Sequence, residues 1–225
     1  MDKLSPFSDP TMVARYAEET PYKVPGLADL HRMAMLLLAE HASQDAEILV
    51  LGAGGGLELK VFAEAQPDWR LLGVDPSAEM LDLARRIVGG FAPRVSLQQG
   101  YIDDAPDGPF GGATCLLTLH FLEAEERLHV LKALRRRLKP GAPLVVAHHS
   151  CPIGGDLLSW LTRSVAFADR APADFEKASA SAATMMARLP ILSSDEDEAL
   201  FYRAGFSEVT LFYAGFSFRG WVGFA

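Results

Sequence analysis

The fold of this 225-residue chain is decided by residues 48–65, ILVLGAGGGLELKVFAEA. Four apolar residues lead into GAGGG at positions 52–56, and the helix-forming run LELKVFAEA follows. A short apolar run without alternation is typical of a strand that is buried on both faces of a parallel sheet. The sequence therefore predicts a strand, a glycine-rich turn and a helix in immediate succession.

The same alternation continues along the chain. Helical patterns separate four further strand-like runs, at residues 69–75, 94–100, 113–119 and 142–150. Strands that alternate with helices predict parallel βαβ units in an open α/β sheet. In the tail, runs 206–213 and 216–224 are joined by little more than Ala214 and Gly215, which permits only a hairpin. We therefore predict an α/β fold with a seven-stranded, mostly parallel sheet whose last strand is antiparallel.

The segment before the first strand has a helical pattern with a break. Residues 11–43 predict two helical stretches separated at residues 20–26, TPYKVPG. Pro21, Pro25 and Gly26 are expected to interrupt the helix there. The sequence thus predicts a helical layer ahead of the sheet.

Composition and charge narrow the functional classes. Hydrophobic residues make up 49% of the chain, and the longest apolar runs fall short of a membrane span. The first residues, MDKLSPFSDP, lack the layout of a signal peptide. Cys115 and Cys151 are far apart and in no ligand spacing, so we expect a reduced, cytoplasmic setting. A net charge of −8 argues against backbone-driven nucleic-acid binding.

The glycine turn and one carboxylate together predict a nucleoside cofactor. In an open α/β sheet, ligands bind beyond the carboxyl ends of the strands, where the first strand–helix turn lies. Glycines let the backbone approach a ligand and adopt positive φ. Asp75 ends the second predicted strand, where a carboxylate can hold ribose hydroxyls.

The glycine spacing separates two classes of cofactor. A dinucleotide turn requires Gly-x-Gly-x-x-Gly, but the position of the last glycine is occupied by Leu57. Gly52, Gly54 and Gly56 instead form Gly-x-Gly-x-Gly, the spacing seen in S-adenosylmethionine-dependent methyltransferases. An NAD-dependent dehydrogenase and a purely structural role of the glycines remain as alternatives at this point.

Over nearly its whole length the chain resembles the class I methyltransferases, through LVLGAGGG, GVDPSAEML and LKPGAPLVV. The resemblance implies a Rossmann-like fold with an N-terminal helical cap, S-adenosylmethionine as methyl donor and S-adenosylhomocysteine as product. It implies that the cofactor site is formed by Gly52, Ala53, Gly54, Gly56, Asp75, Pro76, Met80, Tyr101, Ile102, Asp103 and Thr118. It also implies one domain, 1–225, made of a cap (1–45), a cofactor-binding core (46–150), an acceptor-side helical insertion (151–204) and a terminal hairpin (205–225).

Two positions depart from that family. An acidic residue is usual two positions before the first glycine, where this chain has Val50. Tyr101 stands where Asp is common, and Asp103 is a candidate to make that contact instead. These departures leave open a non-catalytic module that only binds the cofactor.

A closer resemblance is to the carboxy-S-adenosylmethionine synthases, which serve the modification of wobble uridines in tRNA. It rests on VPGLADLHRMAMLLLAEH, TLHFLEAEERLHVLKALRRRLKPGAPLVV and AGFSEVTLFYAGFSF. That branch holds an extra carboxylate with an arginine on a late helix, but the matching position lies near Ala182, with Arg188 close by. We therefore expect a relative that uses ordinary S-adenosylmethionine, with a synthase or a tRNA-modifying enzyme as the alternative.

The sequence also suggests residues for the acceptor side. Methyl transfer from a sulfonium depends mainly on positioning, so no catalytic triad is expected. His120, after the fourth strand, and Tyr16, in the N-terminal helix, are the candidate catalytic residues; packing is the alternative for each. Of His148 and His149 at the end of the fifth strand, only one is expected to face the cleft.

We expect the partners to follow from this chemistry. A small-molecule acceptor is predicted, whereas nucleic acid is disfavoured, with tRNA kept as an alternative. No membrane and no metal are expected, and the apolar region 153–190 is a candidate homodimer surface.

Overall fold

A computed structural model describes residues 5–225; residues 1–4 of the predicted cap lie outside the described residues. Its sheet contains seven strands: β1 (Glu47–Leu51), β2 (Arg70–Asp75), β3 (Val95–Gln99), β4 (Gly112–Leu116), β5 (Pro143–His149), β6 (Ser207–Gly215) and β7 (Phe218–Phe224). Their order is β3-β2-β1-β4-β5-β7-β6. The first five strands are parallel, and β7 is antiparallel to both β5 and β6. The predicted α/β architecture is confirmed, and the strand order reverses between β1 and β4.

Nine α-helices are described: α1 (Ser5–Ser8), α2 (Pro10–Lys23), α3 (Leu27–Ala39), α4 (Leu57–Ala65), α5 (Ala78–Ile87), α6 (Ala124–Arg137), α7 (Leu157–Asp169), α8 (Phe175–Arg188) and α9 (Ser194–Ala204). Apolar residues of α3 and α4 pack on one face of the sheet. Those of α6 and α9 pack on the other face. No helix within residues 5–225 is long and apolar enough to cross a membrane.

The break between α2 and α3 lies later than the prolines predicted. Pro21 lies within α2, which continues to Lys23, and the chain turns at Gly26 with a φ of 62°. Pro21 falls in the last turn of α2, where its missing N–H costs a single hydrogen bond before the helix ends. The conformation of Gly26 therefore accounts for the turn better than Pro21 does.

Two strand ends also differ from the sequence prediction. β4 stops at Leu116 rather than at residue 119, because Leu117 has a φ of 57° and its N–H donates to the carbonyl of Ala147. A short 3-10 turn, Leu119–Phe121, follows. The hairpin turn consists of Phe216 and Ser217, two residues later than expected. Both shifts turn side chains toward the edge of the sheet where the parallel strands end.

A buried ionic cluster holds the end of β5 against two helices. Arg127 Nη1 of α6 lies 2.6 Å from Asp197 Oδ1 of α9, and His148 Nε2 lies 3.2 Å from the same oxygen. Burial opposes the charge on Asp197, but His148 and Arg127 outweigh it and lower the pKa of this carboxyl. Removing one member of a buried pair leaves an uncompensated charge, which costs about 3–5 kcal/mol. The cluster therefore fixes the strand that carries His149.

Candidate active site

The glycine turn between β1 and α4 is shaped by close contacts. Gly52 has a φ of 76°, and a Cβ built there would lie 2.0 Å from Thr118 Oγ1. The N–H groups of Gly52 and Ala53 both donate to the carbonyl of Val74, at 2.8 and 3.1 Å. Gly56 packs instead against α5, where its Cβ would lie 2.9 Å from Ala84 Cα. The turn is thus packed tightly at both glycines, against the Thr118 side chain at Gly52 and against α5 at Gly56.

Asp75 lies at the carboxyl end of β2 and faces this turn. Gly54 N donates to its Oδ2, and Ser77 N donates to its Oδ1, both at 2.9 Å. Burial raises the pKa of Asp75, and these two backbone donors act in the opposite direction. The carboxylate is therefore held in a fixed orientation beside the turn.

A cavity of about 180 Å³ extends from the turn past Asp75. Of the predicted cofactor residues, those lining it are Gly52, Gly54, Asp75, Pro76, Met80, Tyr101, Ile102 and Thr118. Ala53 lines a smaller cavity behind the turn. Asp103 is exposed, and its Oδ2 lies 2.8 Å from His129 Nε2. Neither Asp103 nor Gly56 lines the 180 Å³ cavity. A backbone cradle that a Cβ would fill, a fixed carboxylate and apolar walls fit a nucleoside cofactor.

Tyr16 of α2 covers the turn. A Cβ on Gly54 would lie 3.3 Å from the Tyr16 hydroxyl oxygen. Burial, and then the nearby charges of Asp75 and Glu58, raise the pKa of Tyr16 to about 12. The hydroxyl therefore stays protonated at neutral pH and can serve as a hydrogen-bond donor rather than as a base.

A second cavity, of about 270 Å³, adjoins the first. The two share walls formed by Phe7, Tyr16, Met80, Leu117 and Phe121. The second is completed by other residues of α2, by Phe218 of β7 and by two histidines, His120 and His149. A molecule here would lie next to one in the first cavity.

The two histidines are buried and neutral. Their ring centroids are 4.9 Å apart in an edge-to-face arrangement, and the His149 ring stacks on Phe218 at 3.9 Å. Burial, followed by neighbouring histidines, lowers the pKa of His120 well below its ordinary value and that of His149 to about 3. A neutral imidazole can donate or accept a hydrogen bond and so can orient an acceptor group.

His149 is held in place by two serines. Its Nδ1 lies 2.8 Å from Ser217 Oγ, which lies 2.7 Å from Ser164 Oγ. The neighbouring His148 points instead to Asp197 in the buried cluster, as strand alternation requires. Of this pair, His149 is therefore the residue that lines the second cavity.

Two aromatic residues of α7 lie elsewhere. Trp160 packs between Arg163 and Arg219, and Phe167 contacts Phe216. Neither lines either of the two cavities. Ala182, where the related synthases are expected to carry arginine, is fully buried in α8. Within residues 5–225, no group of three or more His, Cys, Asp or Glu side chains could hold a metal ion.

Known proteins resemble this chain in sequence and in fold. Residues 48–141 match a family model described as a methyltransferase domain. The carboxy-S-adenosyl-L-methionine synthase of Chromohalobacter salexigens is 28% identical over 231 residues, covering 100% of this chain and 85% of that protein.

Two solved structures illustrate the likeness of fold. An O-methyltransferase family protein from Burkholderia thailandensis superposes with a TM-score of 0.73 at 17% identity, covering 99% of this chain and 62% of that one. Human N-acetylserotonin methyltransferase, solved in complex with S-adenosylmethionine, gives a TM-score of 0.61 at 16% identity and also covers 99% of this chain and 62% of that one. The chain thus spans less than two thirds of the length of either structure.

The chain therefore contains a methyltransferase domain at residues 48–141, has the fold of the S-adenosylmethionine-dependent methyltransferases and resembles the carboxy-S-adenosyl-L-methionine synthases. The resemblance and the fold predicted from the sequence are therefore confirmed. The roles of individual site residues stay predictions.

Proposed function

We propose that this protein transfers the methyl group of S-adenosylmethionine to a small, largely apolar acceptor in the second cavity. The observation that carries the proposal is that the two cavities adjoin and share five wall residues. S-adenosylmethionine supplies a methyl group that is already activated by a positively charged sulfur. The protein's task is then to align the acceptor and to exclude water.

In this proposal the residues of the first cavity position the cofactor. Asp75, fixed by Gly54 N and Ser77 N, binds ribose hydroxyls. Ile102 and Met80 offer apolar contacts to a purine ring. The bare backbone at Gly52 allows close approach near Thr118.

The second cavity suits a neutral acceptor that carries a hydroxyl or another polar hydrogen. Its walls are mostly apolar, and its two histidines are uncharged. His120 or His149 can orient such a group through a hydrogen bond. Among the described residues that line this cavity, Lys23 is the one lysine or arginine, and it is paired with Glu19 at 2.8 Å.

A second candidate function is the synthesis of a carboxylated cofactor. The match to a carboxy-S-adenosyl-L-methionine synthase along the whole chain supports it. The buried Ala182 and the paired Lys23 weigh against it, because an extra carboxylate needs a cationic partner.

Two measurements test these functional hypotheses. One is mass spectrometry of the ligand released from freshly purified protein, and the other is calorimetric titration of S-adenosylmethionine. We expect S-adenosylmethionine or S-adenosylhomocysteine, followed by turnover on neutral acceptors in a panel of candidate substrates. A carboxylated derivative would support the synthase instead. Binding without turnover on any acceptor would indicate a non-catalytic module, and absence of binding would refute the proposal.

We further propose a reducing, cytoplasmic setting and a small-molecule partner rather than nucleic acid. The free thiols of Cys115 and Cys151 support the first, and the net charge of −8 supports the second. The region 153–190 remains our candidate for a homodimer surface.

A further inference from the structure

The carboxyl group of Glu58 is buried directly behind the glycine turn. Glu58 is the second residue of α4 and is 6% exposed. Its Oε1 atom is fully buried and has no hydrogen-bond partner among the described residues. A buried, unpaired carboxylate is costly, and in native proteins such a group usually meets a partner that is supplied from elsewhere.

A cavity of about 20 Å³ opens in front of this carboxyl. Gly52, Leu116 and Leu117 line both this cavity and the 180 Å³ cavity, and Tyr16 covers both. The small cavity has room for about one water-sized group. It is therefore a short extension of the larger cavity that ends at Glu58.

No positive charge faces Glu58 from the described residues that line the small cavity. The titratable groups nearest to it are Tyr16 of α2, His31 of α3 and Cys115 of β4, with Asp75 beyond Tyr16. Burial lowers the pKa of His31 to about 4, so this ring is neutral. The described residues that line the small cavity therefore offer no counter-charge for the ionised form of Glu58.

S-adenosylmethionine carries such a charge, because its methionine end has an ammonium group. Asp75, the other carboxylate beside the turn, already accepts two backbone hydrogen bonds. Val50 of β1 is apolar and fully buried, so β1 offers no carboxylate at that position. Resting on the proposed cofactor site, we infer that the Glu58 carboxylate binds the ammonium group of S-adenosylmethionine in the small cavity.

The protonation of Glu58 then couples to binding. Burial raises the pKa of Glu58 to about 7, with a smaller opposing effect of Thr114. A bound ammonium favours the ionised carboxylate and lowers this pKa. Below about pH 7, binding must therefore release a proton, and the affinity for the ligand falls as the pH is lowered toward 6.

The test compares two ligands on the variant Glu58→Gln. S-adenosylhomocysteine carries the ammonium group, whereas methylthioadenosine has the same nucleoside but lacks the amino-acid end. We expect calorimetry to show roughly 10- to 100-fold weaker binding of S-adenosylhomocysteine, because a buried charge pair is lost. Methylthioadenosine should bind within about twofold of its affinity for the unsubstituted protein, because the site that it occupies is intact.

Glu64→Gln is the matched control, because Glu64 lies on the same helix but is exposed and paired with Lys60. It should leave both affinities unchanged. Titrations of the unsubstituted protein at pH 6.5, in buffers of different ionisation enthalpy, give a readout that does not depend on any variant. We expect proton release with S-adenosylhomocysteine and none with methylthioadenosine.

Equal effects of Glu58→Gln on both ligands, or no proton release by the unsubstituted protein, would overturn the assignment of Glu58 and leave the proposed function standing. If neither ligand binds to the unsubstituted protein, the proposed function fails together with it.

Discussion

The two adjoining cavities are built in different ways. The 180 Å³ cavity is lined mainly by residues at or shortly after the carboxyl ends of β1, β2, β3 and β4. The 270 Å³ cavity is made of side chains from α2, the 3-10 turn after β4, the end of β5 and the start of β7. The first depends mainly on geometry at the carboxyl ends of the strands, with Phe7 and Tyr16 added from the N-terminal helices, whereas most of the second is formed by segments that are distant in sequence.

The two cavities also differ in charge. Asp75 lines the first, and Glu58 lies behind it, so that side of the site is suited to a cationic ligand. The histidines of the second are neutral. We expect substitutions to separate cofactor binding from acceptor methylation along this division.

The largest effect is expected at the backbone of the first cavity. In Gly52→Ala, the new Cβ would collide with Thr118 Oγ1 at 2.0 Å, and the residue would keep a φ of 76°. We expect affinity for S-adenosylhomocysteine to fall by roughly 100-fold or more, because the turn must move to relieve the strain.

Calorimetry measures this change, with Gly89→Ala as the control. Nothing lies within 4 Å of a Cβ at Gly89, so this variant should bind normally. If Gly52→Ala bound S-adenosylhomocysteine normally, the glycine turn would not be part of the cofactor site. The contrast between the two cavities would then fail for the 180 Å³ cavity.

The next effect concerns the second cavity alone. His149→Phe keeps a ring against Phe218 but removes the imidazole that Ser217 orients. On an acceptor identified from the panel, we expect the turnover number to fall roughly 100-fold, because the group that positions the acceptor is lost. Affinity for S-adenosylhomocysteine should change by no more than about twofold, because His149 lines the acceptor cavity and not the cofactor cavity.

His41→Asn serves as the control, since His41 is exposed and lies outside both cavities. If His149→Phe weakened cofactor binding as strongly as turnover, the two cavities would act as one site.

The smallest effect that we expect is on the pH dependence of the free energy of unfolding. The pKa of His31, beside the first cavity, is lowered to about 4, and that of His149 to about 3. The unfolded chain takes up protons near pH 6.5 while these folded-state rings stay neutral, so stability falls as the pH drops below 6.5. Each ring accounts for about 2 kcal/mol between pH 6.5 and pH 5, at 1.36 kcal/mol per pKa unit.

Denaturant unfolding at pH 7 and pH 5 measures this difference. His31→Gln and His149→Phe should each reduce the loss at pH 5 by a similar amount, whereas His41→Asn should not. Glu58 acts in the opposite sense to the histidines, because its folded-state pKa of about 7 exceeds the ordinary value. Its contribution to the free energy of unfolding is therefore lost as the pH rises through 7. An unchanged loss at pH 5 in His31→Gln would mean that this ring is charged or exposed.

The sequence predicted what local spacing determines. The turn at Gly52, the carboxylate of Asp75 at the end of a strand and the terminal hairpin all follow from short-range patterns. These features were enough to predict the sheet, the fold class and one side of the candidate site.

What the sequence could not predict depends on contacts between distant segments. β4 ends after its last bond to β5, from Leu117 N to Ala147 O, because Leu117 adopts a φ of 57° that its local sequence does not predict. His149 rather than His148 lines a cavity because side chains alternate between the two faces of β5, and only the folded sheet shows which face each of them takes. Phe7 and Phe218, which help to form the second cavity, belong to no local motif.

The wall shared by the two cavities has a consequence for kinetics. Tyr16 and Phe7 line both cavities, and the carbonyl of Phe7 accepts a hydrogen bond of 2.6 Å from Ser77 Oγ, which ties α1 to the start of α5. Because these side chains line both cavities, a movement of α1 or α2 that changes one cavity also changes the other. We therefore expect the release of the spent methyl donor and the binding of an acceptor to depend on each other.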